Sequence, residues 1–499
     1  MTVSRSVELE GHIIDSGLME RAFSTVMEMG GAFDVKTFRV GTHKDEESYA
    51  EMVVSADSAD QLRAIVHELH QNGANPADPA DATVEPAPAD GVVPPEFYST
   101  TNHPTDVRYG GEWLPVEDVE MDAAVVVEPG EDADDERDSA DRPRARATVL
   151  NAVEADDLVV TGEGGVRVRP PERPRGASPF GFMRGGASAE RPSGSLVDRV
   201  AEAVRETRAE GGDVLVVPGP AVVHSGAGEA LAALVRAGQV TALSTGNGFA
   251  VHDIERDVYG TSLGMDVETM DHPRKGHKHH IYAISEVRRA GGIEAAVEQG
   301  LVNGGVMYEC VANDVPYVIA GSIRDDGPLP DTVTDSVAAQ AAVREQAHEA
   351  DLVVMLATLL HSVAVGNCLP STTPVVCVDM DSDTVTQLLD RGSAQAIGVV
   401  TDVGMFVPRL AERLVADYEE HDGTLGSDHG GGYGHGNEHK SERGHGDGDR
   451  NGNDEGHRHE HERGREHERG NEHERGDGDG HGSDYDHVGG TGDNDAGRE

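Results

Sequence analysis

Residues 351–359 read DLVVMLATL, an apolar run that leads directly into LHS at 360–362, the start of a small-residue helix. Two similar runs follow: PVVCVDMDS at 374–382 and AIGVVTDVGM at 396–405. Continuous runs of Val, Ile, Leu and Met are typical of parallel strands that are buried on both faces of a sheet. The sequence therefore predicts an α/β fold built on a parallel sheet.

Polar residues close each of these runs. Asp379 and Asp381 end the second run, and Thr401-Asp402 ends the third. Open α/β sheets bind ligands at the carboxyl ends of their strands, where an acidic residue often holds a ribose diol. The three runs together favour a nucleotide site, although plain core remains the alternative for any single strand.

The charge balance is strongly acidic, with 92 acidic and 41 basic residues and a net charge of −51. Only five of the basic residues are lysines. Because molar salt shortens the Debye length to about 3 Å, such a surface repels itself little in a cytosol of very high salt. We expect a protein that loosens when salt is removed, and the sign of the charge disfavours nucleic-acid binding.

The three cysteines, Cys310, Cys368 and Cys377, show no paired spacing and sit in apolar segments. They are interpreted as reduced, buried thiols of a cytoplasmic protein. No run approaches the ~18 apolar residues that a membrane span needs, and the first residues lack the apolar region of a signal peptide. We therefore expect a soluble, intracellular protein without a membrane partner.

Four regions are predicted along the chain. Residues 1–90 have the element order of a ferredoxin-like α+β module. Residues 91–185 form a small β-rich middle region, interrupted by an acidic insertion at 131–142. Residues 195–420 form the α/β domain that contains the predicted parallel sheet. Residues 421–499 contain very few apolar residues and are predicted to be a disordered tail. Its eleven histidines between 429 and 487 suit weak binding of transition metals, or simply a soluble low-complexity tail.

The turn after the strand at 213–219 is a weak dinucleotide signature. Gly226 and Gly228 open a helix, but the third glycine of the fingerprint is missing. The strand at 240–245 ends in Gly246-Asn247-Gly248, where glycine permits close approach of a ligand to the backbone and Asn can bind ribose or amide groups. The alternative for both places is an ordinary turn into a helix. His252, Asp253 and Glu255 follow on the next turn, and a carboxylate next to a histidine could take part in acid–base chemistry.

Two further segments are candidates for substrate binding. HPRKGHKHH at 272–280 is a dense cationic patch in an acidic chain, and it favours anion binding over a metal site or chance. The acidic pair Asp325-Asp326 follows the predicted strand at 315–323 in a Gly/Pro-rich loop. One carboxylate of this pair could act as a general base, and a turn salt-bridged to Arg324 is the alternative.

Several long motifs resemble the archaeal-type ornithine cyclodeaminases, which share the LOR/SDH bifunctional enzyme conserved region, and point to a haloarchaeal-like member. The motifs are ELEGHIIDS at 8–16, TTNHPT at 100–105, GNGFAVHDIE at 246–255, MYECV at 307–311, AGSIRDDGPLPD at 320–331, LATLLHSVAVGN at 356–367 and DRGSAQAIGVVTDVG at 390–404. The resemblance implies a C-terminal Rossmann-like domain close to that of deoxyhypusine synthase, which agrees with the missing glycine. It also implies tightly bound NAD as the cofactor, no metal, and a homo-oligomer. Arginine dihydrolase activity is not expected.

The resemblance also implies which residues bind the dinucleotide. They are Asn247, Gly248, Asp326, Thr358, Leu359, Leu360, His361, Asp379, Asp402 and Val403. Gly248 stands where relatives often have Ala, a mild departure from the pattern.

The implied reaction converts L-ornithine to L-proline and ammonia, with NAD as a transient hydride acceptor. Asp325 is the hypothetical catalytic base, and the patch around Arg274, Lys275 and Lys278 is the hypothetical anchor for the substrate carboxylate. Two alternatives remain open at this point: an NAD-dependent dehydrogenase acting on another amino acid, and a non-catalytic NAD-binding regulator.

Overall fold

A computed structural model describes residues 2–14, 17–43, 46–77, 79–130, 142–169, 193–266, 276–325, 327–391, 396–416 and 418. All of them belong to one unit, Met1–Gly426. The acidic insertion (except Arg142), the tail from 421 onward, Asp326, and the cations Arg274 and Lys275 lie outside the described residues.

The N-terminal module has the predicted ferredoxin-like fold. Its elements are β1 (Val3–Gly11), α1 (Leu18–Glu28), β2 (Ala32–Arg39), β3 (Ser48–Ala56), α2 (Ala59–Gln71) and β4 (Asn75–Pro76). The sheet is antiparallel, with strand order β2-β3-β1-β4. Alternate residues of β3, such as Met52 and Val54, are buried beneath the two helices. Ser58 caps α2, because its hydroxyl accepts a hydrogen bond from the Gln61 backbone N–H at 3.2 Å.

The middle region forms a second, seven-stranded sheet. Its strands are β5 (Thr83–Pro86), β6 (Thr105–Tyr109), β7 (Glu112–Glu117), β8 (Ala124–Glu128), β9 (Arg144–Thr148), β10 (Leu158–Thr161) and β11 (Val166–Val168). The strand order is β11-β6-β7-β9-β8-β10-β5, and only the β7–β9 pair is parallel. Strand β5 precedes residue 91 in the sequence, but it pairs with β10 and so belongs to the sheet of the middle region.

The third sheet is the parallel sheet that the opening stretch predicts. Its region contains α3 (Ser193–Ala209), β12 (Val214–Pro218), α4 (Ala221–His224), α5 (Gly228–Arg236), β13 (Ala242–Gly246), α6 (Asn247–Tyr259), β14 (Thr261–Ser262), β15 (Met265–Asp266), α7 (His279–Ala290), α8 (Ile293–Glu298), α9 (Gly305–Ala312), β16 (Tyr317–Ala320), α10 (Ser336–Glu349), β17 (Leu352–Leu356), α11 (Leu360–Asn367), β18 (Val375–Asp379), α12 (Ser382–Arg391), β19 (Ala396–Val400) and α13 (Val403–Leu414).

Six parallel strands make up this sheet, in the order β16-β13-β12-β17-β18-β19. Counted along the chain, the order is 3-2-1-4-5-6, which is that of dinucleotide-binding Rossmann folds. Helices cover both faces: Leu243 and Val354 belong to one core cluster, and Leu215 and Val353 belong to the other. Burial on both faces explains why the strands lack polar alternation.

The predicted strands lie at the correct positions in the chain, but the predictions extend them too far at their carboxyl ends. The run predicted to extend to Met405 stops at Val400, because Asp402 caps α13 by accepting a hydrogen bond from the Gly404 N–H at 2.8 Å. The run to Ser382 stops at Asp379, because Asp381 caps α12 through the Asp383 N–H at 3.0 Å. The cysteines are free and buried, as predicted.

Polar contacts join the middle region to the parallel-sheet region. Arg344 on α10 forms an ion pair with the buried Glu120 at 2.7 Å. The imidazole of His103, within the TTNHPT motif, lies 2.8 Å from the Ser371 hydroxyl. In the part of the chain that the structure describes, no helix is long and apolar enough to cross a membrane.

Candidate active site at the carboxyl edge of the parallel sheet

Asn247 and Asp325 are brought together at the carboxyl edge, although 78 residues separate them. Asn247 is the first residue of α6, and its side-chain amide donates to the Asp325 carboxylate at 3.4 Å. The amide oxygen of Asn247 accepts hydrogen bonds from the Leu329 N–H at 3.0 Å and the Thr332 hydroxyl at 3.2 Å. Asn247 thus fixes the loop that follows β16 and presents Asp325 to the edge of the sheet.

The second oxygen of Asp325 accepts a hydrogen bond from the Ser322 N–H at 2.7 Å. This contact belongs to a local turn, which was part of the alternative interpretation of the acidic pair. Among the described residues, Arg324 forms no ion pair with Asp325, so the salt bridge of that alternative is not seen. The carboxylate is instead aimed at Asn247.

Thr358, Leu359, Leu360 and His361 form the turn from β17 into α11. The Nε2 atom of His361 lies 3.0 Å from the hydroxyl of Ser244, which is part of β13. Burial lowers the pKa of His361 to about 4, so the imidazole is neutral near pH 7. Leu360, by contrast, is 81% exposed at the same edge.

Asp379 and Asp402 follow the next two strands. Asp379 ends β18, and its backbone carbonyl accepts a hydrogen bond from the Thr401 N–H at 2.9 Å. Asp402 is the next residue and the N-cap of α13, with Val403 as the first helical residue. The ends of β17, β18 and β19 are therefore adjacent, and they place the predicted residues of all three strands along one edge.

The crevice between β12 and β17, where the strand order reverses, is closed by the backbone itself. A Cβ atom on Gly219 would lie 2.1 Å from the carbonyl oxygen of Ala357, and Ala357 has a positive φ of 48°. The Gly219 N–H also donates to the Leu356 carbonyl at 2.8 Å. This glycine serves the packing of the two strand ends.

Comparison with known proteins gives the chain its family. Three family models match in succession: the LOR/SDH bifunctional enzyme conserved region over residues 4–103, the first C-terminal region of ArgZ-like arginine dihydrolases over 104–197, and the Rossmann fold of the same C-terminal part over 198–410. Ornithine cyclodeaminase of Methanopyrus kandleri is 50% identical over 409 residues, which is 82% of this chain and 96% of that protein. The chain belongs to the archaeal ornithine cyclodeaminase family.

Two solved structures of cyanobacterial proteins are also similar. Apo ArgZ, an arginine dihydrolase, is 40% identical with a TM-score of 0.71, over 83% of this chain and 58% of ArgZ. AgrE, solved in a ternary complex with ornithine and NAD⁺, is 40% identical with a TM-score of 0.44, over 83% of this chain and 57% of AgrE. This member of the family thus matches a little over half of each of these longer chains.

The carboxyl edge has the features that a bound dinucleotide needs. The N-terminus of α6 has Gly246 as its N-cap and no side-chain cap, so its first N–H groups are available to phosphate oxygens. The exposed apolar side chains of Leu360 and Met380, at 81% and 70%, suit contact with a flat ring. A Cβ atom on Gly248 would meet the Pro220 ring at an ordinary 3.5 Å, so the departure from Ala is sterically neutral.

A network of histidines borders this edge on the side of α4 and α6. The Nδ1 atom of His252 lies 2.8 Å from the carboxylate of Glu255, and that of His224 lies 2.5 Å from the Ser262 hydroxyl. The two imidazole rings are 4.8 Å apart. The sequence suggested His252 with Asp253 or Glu255 as its carboxylate, and the structure pairs it with Glu255; the sequence gave no signal for His224.

Two buried acidic residues of this domain have structural roles. Glu309 forms an ion pair with Arg236 at 2.6 Å, away from the carboxyl edge. Asp253 caps α9 by accepting a hydrogen bond from the Met307 N–H at 2.8 Å, and burial raises its pKa to about 6. Within the described ranges, no group of three His, Cys, Asp or Glu residues is arranged to hold a metal ion.

Proposed function

We propose that this protein is an ornithine cyclodeaminase, which converts L-ornithine to L-proline and ammonia with bound NAD. The observation that carries the proposal is the 50% identity to an ornithine cyclodeaminase over 96% of that enzyme's length. The Rossmann strand order and the uncapped N-terminus of α6 support NAD as the cofactor.

NAD, when bound, accepts a hydride from Cα of ornithine and later returns it to the cyclic imine, so the reaction has no net redox change. We propose that the dinucleotide contacts are Asn247, Gly248, Asp326, Thr358, Leu359, Leu360, His361, Asp379, Asp402 and Val403. The placement of the described members after β13, β17, β18 and β19 supports this set, since these positions share one edge of the sheet; Asp326 lies outside the described residues.

Asp325 is proposed as the base that deprotonates the α-ammonium group of ornithine. Its carboxylate is held by Asn247 and the Ser322 N–H, so its position is fixed before substrate arrives. A fixed carboxylate at the sheet edge also attracts the positively charged amino groups of the substrate. Lys278, exposed at the start of α7, remains the described member of the proposed carboxylate anchor.

The deciding experiment incubates the full chain in molar KCl with L-ornithine and NAD⁺. We expect equimolar proline and ammonia, with no lasting rise in absorbance at 340 nm. A lasting rise would identify a dehydrogenase, and no product would contradict the proposed substrate. In the same assay Asp325→Asn should bind NAD and lose turnover. Asp314→Asn, an exposed change remote from the sheet edge, is the control.

The protein is also proposed to be cytoplasmic and homo-oligomeric. Three buried free cysteines support a reducing compartment. Strand β2 lies at an edge of the first sheet and exposes Val35 and Phe38, and unpaired edges of this kind commonly pair with another chain. Light scattering in molar KCl would measure the mass of the assembly.

A further inference from the structure

The carboxylate of Glu255 has partners on both of its oxygens. Its side chain is fully buried, and one oxygen pairs with the Nδ1 atom of His252 at 2.8 Å. The other oxygen accepts hydrogen bonds from the Thr261 hydroxyl at 2.8 Å and the Gly264 N–H at 3.0 Å. Burial alone raises the pKa of Glu255, but these hydrogen bonds outweigh it and leave the pKa lowered. A buried, ionised carboxylate therefore orients His252.

His252 is a member of this network with a ring nitrogen that can reach a ligand. Its side chain is 14% exposed, and its Nε2 atom makes no hydrogen bond to any residue that the structure describes. The groups that surround it are His224 from α4, Glu255 on its own helix, and His280 from α7, whose ring lies 6.4 Å away. His279 is connected to the network through the Thr261 hydroxyl at 2.9 Å.

The position of His252 links it to the proposed cofactor and substrate sites. Gly248 lies four residues earlier on the same face of α6. Ser225, next to His224, packs against Gly404: a Cβ atom on Gly404 would lie 2.9 Å from the Ser225 Cβ. Gly404 directly follows Asp402 and Val403, two of the proposed cofactor contacts. On the other side, Lys278 directly precedes His279.

We propose that His252, oriented by Glu255, carries a proton between the two nitrogens of ornithine during ring closure; this inference rests on the proposed function. After hydride removal, Nδ attacks the Cα=Nα bond and becomes positively charged. His252 removes a proton from Nδ and delivers it to Nα. The Cα–Nα bond then breaks, its electron pair leaves with ammonia, and the lone pair of Nδ forms the new C=N bond. His252 ends in its starting state, so one imidazole serves both transfers.

The chemistry explains why a histidine with a carboxylate partner is suited to this place. Imidazole accepts and releases protons near neutral pH, and the adjacent carboxylate stabilises the transient imidazolium. Burial lowers the pKa of His224 to about 4, so this neighbour stays neutral and does not repel the imidazolium. Glu255 acts through His252 and is a positioning residue.

The test uses the full chain with NAD and compares His252→Asn with wild type. Asn can keep the hydrogen bond to Glu255 but cannot carry a proton. We expect NAD affinity by calorimetry to stay within a factor of about three, and proline formation to fall about 100-fold or more. In a single turnover, absorbance at 340 nm should rise and persist, since hydride removal precedes the blocked step. His348→Asn, on α10 and remote from the network, should keep the wild-type rate.

Two further measurements separate proton transfer from a merely structural role. Added imidazole should restore part of the rate of His252→Ala. Glu255→Gln should lower kcat while the KM for ornithine stays near the wild-type value, because His252 loses the partner that orients it and the substrate contacts remain. No rescue of His252→Ala together with a wild-type kcat for Glu255→Gln would assign the network a structural role and overturn the inference.

The outcomes also distinguish this inference from the proposed function. If wild type forms no proline from ornithine, the proposed function itself fails. If wild type forms proline and His252→Asn retains more than a third of its rate, only the role of His252 is refuted. A variant that binds NAD and ornithine but gives no signal at 340 nm would place His252 before hydride removal, which also contradicts this assignment.

Discussion

His70 shows how a single buried side chain couples the stability of this protein to pH. It lies on α2 with 1% exposure, and its ring meets that of Tyr98 edge-on at 5.8 Å. Burial lowers the pKa of His70 to about 4, below the 6.5 of an unfolded chain. The unfolded state therefore binds the proton more readily, so the stabilisation is complete above pH 6.5 and is lost as pH falls toward 4.

We expect His70→Phe, which keeps a ring but does not titrate, to flatten this dependence. Between pH 7 and pH 4 the free energy of unfolding of wild type should fall by about 3 kcal/mol more than that of the variant. Urea unfolding at both pH values in molar KCl measures the difference. His43→Phe, at an exposed position, is the control; equal slopes in wild type and His70→Phe would contradict the prediction.

Individual site residues were predictable only where the chain signals them locally. The sequence singled out Asn247, Asp379 and Asp402 because each follows an apolar run, and the family resemblance implied a role for His361; their contacts with NAD stay predictions. Ser244 could not be found, because its contact with His361 spans 117 residues and no local pattern encodes it. The Asn247–Asp325 contact was missed for the same physical reason, although each residue was singled out separately.

At the scale of elements, the junction of β12 and β17 depends on a glycine. Gly219→Ala would place a Cβ atom 2.1 Å from the Ala357 carbonyl oxygen, which is backbone and cannot rotate away. We expect a loss of about 1–3 kcal/mol in the free energy of unfolding and weaker NAD binding, as the strand ends separate. Gly194→Ala is the matched control, because open space surrounds that position. Calorimetric melting and NAD titration test both, and an unchanged Gly219→Ala protein would refute the proposed packing role.

Strands and helices were easier to predict than their ends. Long apolar runs such as Leu352–Leu356 have to be buried wherever they fold, so their character is visible in the sequence. Their ends depend on which Asp turns back to cap a helix, and Asp381 and Asp402 do so where the sequence suggested continued strand. The strand order 3-2-1-4-5-6 could not be read from periodicity, since all six strands present similar patterns.

At the scale of the whole molecule, the net charge of −51 sets the conditions under which the fold is stable. Self-repulsion acts over the Debye length, which is about 10 Å at 0.1 M salt and about 3 Å at 1 M. We therefore expect the melting temperature to fall by roughly 10 °C or more when KCl is lowered from molar concentrations to 0.1 M. Circular dichroism melts across a KCl series measure it. Glycerol at matched osmolality does not screen charge, so it should restore little of the lost melting temperature. A melting temperature that does not change with KCl, or that glycerol restores fully, would show that charge screening does not stabilise this protein.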